Sequence, residues 1–454
     1  MPEPDERVAP APPEVAPTPD AEGLPTGWRA VAPDLRPLRR HRDYRLLTVG
    51  QSVSFFGSMV TYVAVPFQVY ELTGSSLAVG LVGVVQMAAI LALAFLGGAL
   101  ADAADRRRLV RWAEAGELGC CLVLLLNASL DGPPVWPVFV LAGVMSGLNA
   151  IQRPALQGLV PRIVDRDELT AAGAIDALTR TVGMIAGPAF AGVLLAGPGL
   201  EVAYAVDAAT FAISLGALAL MRASPPPPDA ERPSLRQVVE GLRYARSRPE
   251  LIGTYLVDIA AMFFGMPMAL FPALAERYGG SAALGALYAA PSVGAFLATV
   301  TSGWTGRVHR HGRAVTIAAA LWGLAIVGFG LAPWLWLALA ALAAAGAADM
   351  VSGIFRMSMW NRTIPDHLRG RLASIEMLSY TSGPLLGNAE AGAAASLLGV
   401  RASVVSGGVL CVVAVAATAA ALPAFWAYDA RRDRTSSGPG GTGPDPGEEN
   451  ALLP

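Results

Sequence analysis

Between Leu46 and Trp426 the chain is one apolar run after another, and the gaps between the runs alternate in charge. All 33 basic residues are arginine, and almost all fall in every second gap. One set of gaps carries Arg106, Arg107, Arg108 and Arg111, then Arg162 and Arg166, then Arg222 to Arg248. It continues with Arg307, Arg310 and Arg313, and then Arg362, Arg369 and Arg371. The intervening gaps are ELTGSS (71–76), NASLDGPPV (127–135), AGPGLEV (196–202) and the break at Pro333; only Arg277 and Arg401 fall on that side. Basic residues are retained on the cytoplasmic face of a membrane, so the alternation implies a multi-pass membrane protein and orients it.

Composition agrees. Of 454 residues, 54% are hydrophobic and 15% charged, too apolar a balance for an ordinary soluble domain. A helix needs about 20 apolar residues to cross the bilayer core. Twelve spans are predicted, at approximately 46–71, 77–101, 109–128, 135–157, 172–196 and 201–222, then 251–276, 282–304, 314–332, 334–358, 372–397 and 401–427. The acidic, Pro-rich start (1–35) lacks the basic start and apolar stretch of a signal peptide and reads as a disordered cytoplasmic tail. The polar end (428–454) reads the same way, and both tails inside agree with an even number of spans. A net charge of -2 points to no nucleic-acid partner. Cys120, Cys121 and Cys411 lie within apolar runs and read as core-filling residues, without zinc or disulfide spacing.

The longest gap divides the chain. Pro225 to Pro228 break any helix, and LRQVVEGLRYARSRP (235–249) has the spacing of an amphipathic helix on the membrane surface. The reading is a six-helix unit at 36–222, a linker at 223–250 and a second six-helix unit at 251–427. The two units echo each other. GGALADAADRRR (97–108) pairs with SGWTGRVHRHGR (302–313), QRPALQGLVP (152–161) with FRMSMWNRTIP (355–365), and GMIAGPAFAG (183–192) with SYTSGPLLG (379–387), in the same order and offset by about 200 residues. Parallel repeats of this kind describe two bundles related by an axis along the membrane normal.

Two motifs stand out. In the first, Gly98 allows a close helix approach, Asp102 can accept hydrogen bonds from a neighbouring helix N-terminus, and Asp105, Arg106, Arg107 and Arg108 follow at the cytoplasmic end. Such a cluster can form in one conformation and break in another, as a gate does. In the second, Gly183, Gly187, Pro188 and Gly192 permit tight packing and a kink within one span. The first resembles the loop after the second helix of the major facilitator superfamily, with Ala103 in place of its first basic residue and Asp105 in place of its usual glycine. The second resembles the fifth-helix motif of that superfamily's antiporters, with Ala191 in place of one glycine. PFQVYELTGSSLAVGLVGV (66–84), LFPALAERYGGSAALGALYAAPSVGAFLATVTSG (270–303) and TIPDHLRGRLASI (363–375) resemble its transmembrane secretion effector, or enterobactin exporter, subgroup. The resemblance covers about 380 residues and implies an all-α fold of twelve helices in two pseudo-symmetric bundles, with no bound cofactor, metal or nucleotide.

Charges within the spans carry the remaining signal, since each costs about 2.5–3.5 kcal/mol near the bilayer centre. Asp176 and Arg180 stand four apart and can pair on one face, as cavity lining or as a structural pair. Asp207, Glu376 and Glu390 read as interfacial or interhelical partners. Asp258 and Asp349 are deeper and lack a sequence-local partner; Arg356 follows Asp349 by two turns. A carboxylate in a water-poor cavity can bind a proton and release it when water arrives from the other side, the requirement of proton-driven antiport. Arg153 can meet an anionic or catecholate ligand, or seat a helix end that Pro154 is expected to interrupt. Gln51, Ser54, Ser58, Thr61 and Tyr62 form a polar stripe on the first span, which faces a cavity or another helix. Met262, Phe263, Phe264, Met266 and Met268 form an adaptable face on the seventh.

Together these features and the resemblance predict a monomeric secondary exporter in a bacterial cytoplasmic membrane, with protons as coupling ion and a siderophore or similar amphipathic small molecule as substrate. A multidrug or macrolide efflux pump is the alternative. A membrane-embedded enzyme or scaffold would need a reactive constellation, and His41, His309, His311 and His367 are scattered over cytoplasmic ends without metal spacing. From the gate motif, Asp102→Asn is expected to cripple proteoliposome flux while leaving membrane insertion intact. Wild-type flux in that variant would remove the gating role.

Overall fold

The computed structural model describes residues 34–103, 105–222, 244, 246, 248–364 and 369–431, with the side chains of 94–103 and 369–380 outside that set. Among these residues the chain is helical. A short surface helix (Arg36–Arg40) precedes α1 (Arg42–Thr73), α2 (Ser76–Ala103), α3 (Arg106–Ala128), α4 (Trp136–Ile163), α5 (Leu169–Ala196) and α6 (Leu200–Leu220). The second series is α7 (Pro249–Phe264), α8 (Ser281–Val300), α9 (His311–Leu331), α10 (Leu335–Thr363), α11 (Arg369–Leu398) and α12 (Val400–Ala421). Nine helical segments among the described residues are long and apolar enough to cross a bilayer. The order is consistent with the twelve spans expected. The linker helix expected over 235–249 falls mostly outside the described residues, as do both tails.

Local signals set the ends. Gly74 closes α1 in the left-handed conformation, at φ 62°, donating its N–H to the Tyr70 carbonyl. Asp105 caps α3, its carboxylate accepting from the Arg108 N–H at 3.2 Å. Two expectations are corrected. The seventh span holds as one apolar segment, Pro249–Arg277, but not as one helix: α7 ends at Phe264, and after a 3-10 turn at Met268–Leu270 a separate helix runs over Phe271–Arg277. The break falls at Gly265-Met266-Pro267, where proline removes an N–H and glycine carries a side-chain-free bend. Conversely, Pro154 does not interrupt α4, which runs through it to Ile163, as membrane helices tolerate when neighbours satisfy the freed carbonyl.

Within the first series α2 packs on α4, and α6 on α1 and α3; within the second α10 packs on α8 and α9, and α12 on α9. The two series meet along two seams, α2 against α11 and α5 against α8. Glycines make these seams close. A Cβ at Gly192 on α5 would run into the Gly285 backbone of α8, one at Gly80 into the Asn388 carbonyl, and one at Gly392 into the Ser76 carbonyl. All these contacts lie toward the arginine-poor end. Gly183 and Gly187 have a different use: they pack on Phe55, and on Met59 and the Phe56 carbonyl, of α1.

Gly192→Val is therefore expected to push the halves apart at the arginine-poor end. Spin labels at positions 197 and 277 should report a longer mean distance in the variant than in its parent. An unchanged distance would show that the seam can absorb the side chain.

Candidate functional site

The first series holds its buried polar groups in layers. Glu114 on α3 is fully buried and accepts from Gln51 of α1, from Ser214 of α6 at 3.0 Å and from Gln152 of α4 at 3.3 Å. One carboxylate thus ties four helices. Further along, Asp207 on α6 accepts from Thr61 of α1, and from the Cys121 thiol of α3 and Thr210 at 3.3 Å each. Beyond that, the Tyr204 hydroxyl donates to Gln68 at 2.7 Å, Gln68 donates to Asn127 at 3.0 Å, and Asn127 donates to the Pro134 carbonyl at 3.1 Å. Each polar group lost to lipid or protein interior would cost several kcal/mol if left unpaired, so these layers specify which helices adjoin.

The second series uses charge. Arg356 of α10 pairs with Asp258 of α7, and its other amine lies 3.6 Å from Asp349 of its own helix. Asp258 is 6% exposed and Asp349 is 42% exposed. The two carboxylates without a sequence-local partner thus share one arginine, supplied seven residues from Asp349 and from a different helix than Asp258.

A cavity of about 260 Å³ lies between the two series. Ser58, Thr61 and Tyr62 of α1, Gln86 of α2, Glu117 of α3, and Ser146 and Asn149 of α4 form one side. Met268, Tyr288 and Asn388 form the other, and the break after α7 places Met268 there. The Tyr62 hydroxyl reaches the Met268 thioether at 3.0 Å, and its ring meets Tyr288 edge-on at 5.5 Å between centroids. Glu117 is 5% exposed and stands one turn from Glu114 on the same face. Alone among these buried carboxylates it has no hydrogen-bond partner among the described residues.

The residues singled out from the sequence separate on this geometry. Tyr62 lines the cavity; Gln51 turns instead to Glu114 inside the first series. Asp176 and Arg180 pair at 2.9 Å on an exposed face, with Arg180 5.7 Å from the Phe55 ring centre, and do not line the cavity. Arg153 is half-buried one turn from Asn149 and outside the lining. Arg106 donates to the Gly158 carbonyl at 2.6 Å, and Arg107 to the Leu218 and Ala219 carbonyls at 2.7 Å, the latter at a helix C-terminus that attracts cations. The side chains of Gly98 and Asp102 lie outside the described residues. Sequence reasoning missed Glu114 and Glu117. Their signal was a Glu-x-x-Glu inside the third apolar run, a span read for its cysteines and for the arginines at its start.

Comparison with known proteins decides the family. The transmembrane secretion effector family of the major facilitator superfamily matches residues 32–439. The chain belongs to that family. The enterobactin exporter EntS of Escherichia coli O1:K1 is 30% identical over 367 residues, 80% of this chain and 87% of the relative. EntS of E. coli strain HS matches to the same extent. Among solved structures, an inward-facing, unoccupied bacterial homologue of the human lysosomal transporter Spinster superposes with a TM-score of 0.68 at 17% identity, over 86% of this chain and 97% of that one. The nucleoside transporter NupG gives 0.67 at 13%, over 83% and 98%. These two show the fold alone. The protein is thus a multi-pass membrane transporter of major facilitator type and not an enzyme.

Removing the shared arginine takes the ion-pair partner from a buried carboxylate. Arg356→Ala is expected to destabilise the solubilised transporter by about 3 kcal/mol, read as a lower melting temperature. Asp258→Asn in the same background should recover part of the loss, and no recovery would show that the two do not act as a pair.

Proposed function

We propose that this transporter is a secondary exporter that exchanges protons for a siderophore or a similar amphipathic small molecule by alternating access. The observation that carries this reading is Glu117, a buried carboxylate without a partner among the described residues, which lines a cavity between two helix series. A carboxylate in that position can hold a proton when the cavity is empty and give it up when the cavity is hydrated. Asp258 and Asp349 remain proposed proton carriers beside it, and they differ in sharing Arg356. Likeness to an enterobactin exporter supports export and supports a siderophore as cargo. The adaptable thioethers of Met59, Met145 and Met268 around the cavity favour the second reading, multidrug or macrolide efflux.

In this proposal residues 36–222 and 251–427 rock as two bodies about the linker at 223–250, as a monomer in a bacterial cytoplasmic membrane with both tails cytoplasmic. Gly98, Asp102, Asp105 and Arg106 to Arg108 gate the arginine-rich end. Gly183, Gly187, Pro188 and Gly192 shape α5 for the opposite closure. Among the described residues the glycine contacts across the seams lie at the arginine-poor end, which supports an inward-facing state.

Proteoliposome flux tests the coupling. Uptake of an amine-bearing siderophore or a macrolide into inside-out vesicles should follow an imposed pH gradient in the wild type, and Glu117→Gln should reduce that uptake at least about ten-fold. Asp258→Asn and Asp349→Asn assayed in parallel rank the other carboxylates. Flux indifferent to the gradient in the wild type would remove proton coupling.

A further inference from the structure

The charge of the cavity has a consequence for the ligand. Among the described residues lining it there is no arginine, lysine or histidine, and Glu117 is the one charged side chain. Its other polar groups are neutral: hydroxyls of Ser58 and Ser146, and the amides of Gln86, Asn149 and Asn388. The acidic groups nearest to Glu117 in its own series are Glu114, a turn away, and Asp207; Asp207 takes donors on both oxygens, and Glu114 takes all three of its donors on Oε1. The nearest cation along α4, Arg153, lies outside the lining.

Every other buried carboxylate described has at least one oxygen met by a donor. Glu114 has Gln51, Gln152 and Ser214; Asp207 has Thr61, Cys121 and Thr210; Asp258 has Arg356; Glu168 has Arg40 at 3.1 Å. Glu117 is more than nine-tenths buried, faces the cavity and has none. An ionised carboxylate left unpaired in such a place is costly, and a cationic group entering from the cavity would remove that cost. The surroundings suit a large, soft cation. Tyr62 and Tyr288 present rings to the same space, and ring faces attract cations. Met59, Met145 and Met268 supply polarizable surface that adapts to shape. An anionic ligand would meet the opposite: a carboxylate, and no basic side chain among the described lining residues.

We propose that Glu117 anchors the positively charged centre of a lipophilic cation in this cavity, so that the transporter's ligands are cationic amphiphiles and anionic ones are rejected. This rests on the transporter reading only in taking the cavity as the substrate path. It narrows the siderophore proposal to molecules that carry a cationic group, and it excludes negatively charged metal complexes from this site. The cavity volume, about 260 Å³, makes it a subsite for the charged moiety of a larger molecule.

The test uses two ions of nearly one shape and opposite charge, tetraphenylphosphonium and tetraphenylborate, bound at equilibrium to the full chain in nanodiscs with no gradient. Tetraphenylphosphonium should bind saturably to the wild type, about ten-fold more weakly to Glu117→Gln, and within a few-fold of wild type to Glu117→Asp. Tetraphenylborate should show no saturable binding. Equal phosphonium affinity in wild type and Glu117→Gln, or saturable borate binding, would overturn the proposal. Should Glu117→Gln fail to fold, Ser146→Cys replaces it, because the three native cysteines are buried. Phosphonium but not borate should then protect that cysteine from maleimide, and equal protection by both would overturn the idea. Charge-selective binding without gradient-driven flux would count against the exchange mechanism alone; flux without charge selectivity would count against this inference alone.

Discussion

A carboxylate inside a bilayer protein must be partnered, and the organisation of this transporter follows from how each one is satisfied. Glu114 collects donors from three other helices, Asp207 from α1 and α3, and Asp258 takes Arg356 across from α10. Each of these contacts lies within one helix series. Lipid supplies no water to replace a lost donor, so helices tied by such hubs are costly to separate. Among the described residues the one buried carboxylate outside this scheme, Glu117, faces the cavity between the series and meets no donor there.

The seams between the series are built differently. There the contacts are glycine against backbone, as at Gly192 with Gly285 and Gly80 with Asn388, together with the Tyr62–Met268 contact. Van der Waals contact between backbones forfeits little when it opens, whereas a broken hub strands a buried charge. The chain therefore concentrates its strong, directional interactions inside each half and its weak, shape-dependent ones between them. That division is the physical requirement for two halves that move against each other.

Much of this was legible in the sequence, for identifiable reasons. The arginine alternation and apolar runs located the helices because both report on lipid and water, which act on every residue along the chain. The glycines at 183, 187 and 192 announced close packing because nothing else in a membrane helix explains such spacing. Partners were harder. Gln51 and Tyr62 lie on one stripe of α1, yet one faces Glu114 and the other the cavity, because the helix is buried on more than one side. Asp258 and Asp349 looked isolated because Arg356 reaches them only after α7 and α10 pack together. Glu114 and Glu117 were hidden by the arginines that begin their own helix.

By itself the sequence determined that the chain spans a membrane many times, which gaps carry the basic charge, and that its two halves are related, since these depend on composition and order along the chain. Only the tertiary structure decided which buried charges meet a donor and which, among the described residues, does not. A hydrogen bond depends on distance in space, and residues such as Glu114 and Ser214, a hundred positions apart, acquire that distance only when helices pack.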